Sequence, residues 1–117
     1  MSQIQIFGRA KCKITRKAER FFKERRIPYQ FVDLERRGLS SGELDSVARA
    51  VGGVDALIDE NGRDAAMIRY LLPDARREKL LEDPHFLKTP VVRLGSKAAV
   101  GDAEPTWKEL AEEVRGK

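Results

Sequence analysis

The sequence predicts an α/β fold, and three of its features carry that prediction. Apolar runs rich in β-branched and aromatic residues lie near both ends, and a helical-period segment joins the first two of them. A Gly-Ser turn separates the last two. Between these halves, residues 39–87 show helical spacing and read as an inserted helical segment. The predicted order is β-α-β, helices, β-β-α.

Ile4-Gln5-Ile6-Phe7 runs to Gly8, a turn residue, and reads as the first strand. Ile14, Ala18, Phe21 and Phe22 then recur at helical spacing with charged residues between them, giving a helix over about 12–26. It stops before Ile27-Pro28, since a residue preceding proline is pushed out of the helical region. Tyr29-Gln30-Phe31-Val32-Asp33-Leu34 alternates apolar with polar residues, the period of a half-buried strand. Strand, helix, strand implies parallel pairing through a right-handed crossover. Ligands of such units gather beyond the carboxyl ends of the strands, where the loop at 8–12 lies.

Ser40-Ser41-Gly42-Glu43 has the form of a capping box, with Ser40 at the N-cap and Glu43 three residues on. Leu44, Val47, Ala48 and Val51 form an apolar stripe, and Gly52-Gly53 is a natural helix stop. Leu57-Ile58 is a short apolar patch before the turn Asp59-Glu60-Asn61-Gly62. Ala65, Ile68, Leu71 and Leu72 suggest a third helix that Pro73 ends; a fourth, around 75–82, breaks at Asp83-Pro84. Residues 90–94 and 97–101 read as a hairpin about Gly95-Ser96. Asp102 or Glu104 opens the last helix, with Pro105 near its first position and Trp107, Leu110, Ala111 and Val114 on one face.

A chain of 117 residues is long enough for a hydrophobic core, and one domain is expected. No apolar run reaches membrane-spanning length, and the first residues lack the charged start and apolar core of a signal peptide. A single cysteine cannot form an internal disulfide, which makes cytoplasm the expected compartment. The net charge of +4 comes from 23 basic and 19 acidic residues that are interspersed, as in Lys23-Glu24-Arg25-Arg26. Nucleic-acid binders concentrate charge in a patch or arm, so this pattern argues against that class.

The best functional clue is Cys12. It falls at or just before the first helix, where free backbone N–H groups and the helix dipole favour an anion. Arg9, Lys11, Lys13 and Arg16 add positive charge close in sequence. In such settings a thiol pKa of about 8.5 falls to roughly 3.5–7.5, and the thiolate is the nucleophile. A lone cysteine is also commonly an inert, buried small hydrophobe, and the residues alone leave both readings open. His85, the only histidine, has no partner at ligand spacing, so no metal is expected. Gly52, Gly53 and Gly62 lack the pattern of a phosphate loop, while Phe86 and Trp107 read as core.

The order of elements, with Ile4-Gln5-Ile6-Phe7-Gly8 running to Cys12, resembles the thioredoxin-like (glutaredoxin-type) fold. Thr15-Arg16-Lys17-Ala18, Ile27-Pro28-Tyr29 leading to Asp33-Leu34, and Thr89-Pro90-Val91-Val92 narrow the resemblance to the arsenate reductase (ArsC)/Spx-like family, whose fold carries a helical insertion. The resemblance implies that Cys12 is the thiol nucleophile and that Pro90 is cis, lying against the thiol and shaping the substrate groove. Thr89 would help dock the substrate through its backbone, and Lys11 and Arg16 would support the site.

Two departures bear on function. Glutaredoxins and redox-active Spx proteins often carry a second cysteine three residues after the first, and here that position is Thr15. Any redox cycle would be monothiol, with an outside thiol such as glutathione or a partner protein completing it and no cofactor held. Thr15 could donate its hydroxyl to the thiolate, or could serve only as a first-turn residue bonding the backbone. Arsenate reductases of the family also hold their oxyanion with arginines, and the nearest positions here are Asp59, Thr89 and Asp102. Arg63, Lys88 and Arg93 lie near in sequence and are candidate replacements. Two functions follow from the resemblance: a thiol-dependent oxidoreductase acting on a disulfide or oxyanion, or an Spx-like regulator binding RNA polymerase or another protein.

Overall fold

A computed structural model describes residues 3–62 and 65–116. The strand Ile4–Gly8 (β1) pairs in parallel with Tyr29–Asp33 (β2), Ile4 opposite Tyr29 and Gly8 opposite Asp33. The helix Lys13–Glu24 (α1) makes the crossover between them. It ends two residues before Arg26, whose φ of +57° turns the chain back toward β2. The helix Ser41–Val51 (α2) begins with the capping box of Ser40 and Glu43 and ends at Gly52, whose φ of +96° suits glycine.

The short helix Ala65–Arg69 (α3) is followed by Pro73–Glu82 (α4). Here the structure departs from the sequence reading. Pro73 does not end the third helix, which stops at Arg69; it opens the fourth. Proline's fixed φ and missing N–H suit a first helical turn, where that N–H has no intrahelical partner. Short 3-10 turns occupy Val54–Leu57 and Pro84–Phe86, and the segments after them meet in a single antiparallel bridge, Ile58 to Leu87.

The hairpin forms from Val91–Leu94 (β3) and Lys97–Val100 (β4), antiparallel, with β3 also antiparallel to β1. The four-stranded sheet has the order β2-β1-β3-β4. The last helix, Glu104–Arg115 (α5), opens at Glu104 with Pro105 in its first turn.

Strand alternation sends each side chain to one of two cores. Ile4, Ile6, Val92 and Leu94 face α1 and α5, where Phe21 stands edge-on to both Phe22 and Trp107 at 5.0 and 5.7 Å. Phe7, Val32 and Val91 face the helical segment, in one cluster with Leu44 and Val47 of α2, Ile68 of α3 and Leu80 of α4. Trp107 and Phe22 are fully buried, and truncating Phe22 to alanine would cost about 3–5 kcal/mol. The helical segment therefore forms a third layer over the sheet. Both layers converge on the carboxyl end of β1, where α1 begins and the chain leading into β3 passes.

Candidate functional site

Gly8 ends β1, and its carbonyl accepts the Leu34 N–H at 2.9 Å. The chain then turns through Arg9, whose carbonyl accepts the Cys12 N–H at 3.0 Å, and Cys12 becomes the N-cap of α1. No acidic residue lies in the first turn of that helix. The positive end of its dipole therefore faces the sulfur without an internal counter-charge.

From the other side comes the segment before β3. The Lys88 N–H donates to the Leu57 carbonyl at 2.7 Å, and the Thr89–Pro90 peptide is cis. Thr89 Oγ1 donates to Cys12 Sγ at 3.2 Å. The sulfur's own proton has a weaker outlet, the Thr89 carbonyl at 3.9 Å.

Thr15 lies beneath, 0% exposed and against Gly8. Its Oγ1 makes no hydrogen bond of ordinary geometry, yet its hydroxyl is close enough to the sulfur to favour the thiolate. Partial burial is the largest single influence on the Cys12 thiol and pushes its pKa up. The hydroxyls of Thr15 and Thr89, with the amides of Thr15 and Ile14, together outweigh it and bring the pKa below its ordinary value. The Sγ does not cap the helix while it is a thiol; the amides favour it once it is charged.

The structure thus places Cys12, Thr15, Thr89 and Pro90 together. Lys11 and Arg16 are exposed beside them, and no charged side chain is among the causes of the thiol's shift. Hydrogen bonds lower this pKa, where the sequence suggested that neighbouring charge would contribute. Arg9 is also turned away from the sulfur, its guanidinium bonded to the Pro84 and Leu87 carbonyls. Sequence reading counted only its charge.

The residues at the family's arginine positions are otherwise engaged. Asp102 holds Lys17 in an ion pair at 2.9 Å, and Asp59 accepts the Asn61 N–H in a turn at 3.0 Å. Among the candidate replacements, Arg93 sits on β3 opposite Gln5, toward the start of β1 and away from Cys12. There it donates to Gln5 Oε1 and to the Gly95 carbonyl. Lys88 is exposed and lies close against Gly101. Arg63 falls outside the described residues. His85 is exposed in a 3-10 turn that the Asp83 carboxylate caps.

A cysteine at the head of a helix, hydrogen-bonded to the residue before a cis-proline, beside a four-stranded sheet of this order, defines a thioredoxin-like domain. The chain is 31% identical over 103 residues to global transcriptional regulator Spx 2 of Oceanobacillus iheyensis, covering 84% of this chain and 76% of that protein. Its fold is similar to the arsenate reductase of Vibrio cholerae, with a TM-score of 0.81 at 19% identity over 92% of this chain and 97% of that one. It is similar too to an ArsC-family-related protein of Bacteroides fragilis, with a TM-score of 0.82 at 16% identity and the same coverage. At such identities the two structures speak for the fold alone. No protein-family model matches the chain. The chain belongs to the arsenate reductase (ArsC)/Spx-like family of thioredoxin-fold proteins. Among the described residues, no helix is long and apolar enough to cross a membrane.

Proposed function

We propose that the protein is a cytoplasmic monothiol oxidoreductase, with Cys12 as its nucleophile. The carrying observation is the setting of the sulfur, which accepts from Thr89 Oγ1 at 3.2 Å and has its pKa lowered despite partial burial. In the first step the Cys12 thiolate attacks one sulfur of a substrate disulfide. A Cys12–substrate disulfide forms, the substrate S–S bond breaks, and the other half leaves as a thiolate. With no second cysteine in the chain, an external thiolate such as that of glutathione then attacks this mixed disulfide. A new disulfide leaves, and the Cys12 thiolate returns. A thiol of lowered pKa is also the better leaving group, which favours this second step. Exposed Lys11, Lys13 and Arg16 around the sulfur suit an anionic co-substrate.

The test is exchange between a small disulfide and reduced glutathione, followed with intact-protein mass. Wild type should accelerate exchange and accumulate one glutathionyl adduct when given oxidised glutathione. Cys12→Ser should do neither. Exchange at the uncatalysed rate, with no adduct on wild type, would sink the reading.

A second reading has its own support. The relative at 31% identity is named a global transcriptional regulator, and Asp59, Thr89 and Asp102 stand where an arsenate reductase would carry arginines. The protein would then be an Spx-like adaptor for RNA polymerase or another protein. Affinity capture from cell extract separates the two. A reductase retains thiol-linked clients that Cys12→Ser loses, whereas an adaptor keeps one partner in both forms.

A further inference from the structure

We infer that Arg9 is a positioning residue that sets the reactivity of Cys12 by fixing the distance from its sulfur to Thr89. This rests on the proposal that the Cys12 thiolate is the reacting group. Arg9 touches both halves of the site. Its backbone carbonyl closes the turn that delivers Cys12, accepting the Cys12 N–H at 3.0 Å. Its side chain reaches the other half, where Nη2 donates to the Pro84 carbonyl at 2.6 Å and Nη1 to the Leu87 carbonyl at 3.3 Å. Pro84 opens the 3-10 turn Pro84–Phe86 and Leu87 is its C-cap, two residues before Thr89. One half-buried guanidinium therefore ties the cysteine loop to the strap that carries its hydroxyl donor.

The chemistry of the contact demands arginine. Two carbonyls at the ends of one turn are spanned by two N–H groups of a planar fork, a geometry that the single ammonium of lysine does not reproduce. Charge-assisted bonds from one planar group fix its geometry as well as adding energy. The hydrogen bond that they hold in place joins the two halves, with Thr89 Oγ1 3.2 Å from the sulfur, and it weakens as donor and acceptor separate or misalign. The positive charge itself is not among the influences on the Cys12 thiol. Arg9 acts through geometry, by way of Thr89.

The test is the pH dependence of iodoacetamide alkylation in wild type, Arg9→Gln, Arg9→Lys, Thr89→Val and the double variant Arg9→Gln/Thr89→Val, each checked for folding by circular dichroism. Arg9→Gln and Arg9→Lys should both raise the thiol pKa by about half a unit or more, roughly a threefold fall in the thiolate-to-thiol ratio at a given pH. In the Thr89→Val background Arg9→Gln should add nothing further. An Arg9→Lys protein with the wild-type profile would show that charge alone suffices and overturn the inference. A full Arg9→Gln effect persisting without the Thr89 hydroxyl would overturn it equally. Should Arg9→Gln fail to fold, the milder Arg9→Lys, alone and with Thr89→Val, decides the same question. A wild-type thiol titrating at its ordinary value removes the thiolate reading and this inference together. A lowered wild-type value indifferent to Arg9 removes only the inference.

Discussion

A Cβ placed on Gly8 would stand 2.5 Å from both Oγ1 and Cγ2 of Thr15, so the two residues fit only as a pair. Gly8 is buried at the end of β1, and Thr15 is fully buried in the first turns of α1. The missing side chain lets the helix start pack directly on the strand end, which brings Cys12 over the sheet. Gly8→Ala should lower stability by about 1–3 kcal/mol through overpacking, measured by urea unfolding. Adding Thr15→Ala should recover part of that loss. A Gly8→Ala protein as stable as wild type would mean that the junction has room to relax.

Thr15 also allows stability to be separated from reactivity. Its hydroxyl is buried without an ordinary hydrogen bond, and leaving such a group unpaired costs about 1–3 kcal/mol. Valine has nearly the same shape and no hydroxyl. Thr15→Val should therefore unfold at the same or a higher urea concentration than wild type, while its Cys12 thiol titrates at a higher pH. Unchanged titration in Thr15→Val would leave Thr89 and the backbone amides as the whole source of the lowered pKa.

The fold was legible wherever its cause is local. Ser40 and Glu43 cap α2 through a pattern four residues long, Gly95-Ser96 turns the hairpin, and the period of Ile14, Ala18 and Phe22 gives α1. Cys12 at the helix start follows from the same periodicity. Pro73 misled because a proline that cannot continue one helix is equally suited to open the next. The site was only half readable. Arg9 finds its acceptors 75 and 78 residues away, and Arg93 is drawn toward the far end of β1 by strand register. Neither spacing nor charge in the sequence carries that information, because it arises only when distant strands pair and the third layer closes over the sheet.

Arsenate reduction should be weak or undetectable. An oxyanion needs donors already in place, and losing one such donor costs on the order of 10²–10³ in rate. Asp102 is held by Lys17, Asp59 is tied into its turn, and Arg93 is bonded to Gln5 and Gly95. The measurement is glutathione- and glutaredoxin-coupled arsenate turnover by purified protein beside Cys12→Ser. Robust turnover lost in Cys12→Ser would show that other cations, Lys88 among them, hold the anion.

The lowered thiol pKa has a thermodynamic consequence whose sign can be worked out. Burial pushes the Cys12 thiol up, but the Thr15 and Thr89 hydroxyls and the amides of Thr15 and Ile14 bring it below its ordinary value. Between the folded value and the unfolded one, the unfolded chain holds the proton that the folded chain has released. Stability therefore rises with pH across that window, is complete above it, and is lost as pH falls through the folded value. The slope should be modest, because the sulfur is partly exposed and solvent screens it. Cys12→Ser has no such group, so the stability of wild type minus that of Cys12→Ser isolates the effect. Tyr29, pushed up to about 12 by burial and the Glu19 carboxylate, is shared by both proteins and cancels. Under reducing conditions, the difference from urea unfolding should grow as pH rises from the folded value to the unfolded one and then level off. A difference that is flat, or that shrinks with rising pH, would mean that the folded protein does not favour the thiolate, and Cys12 would then be a packing residue.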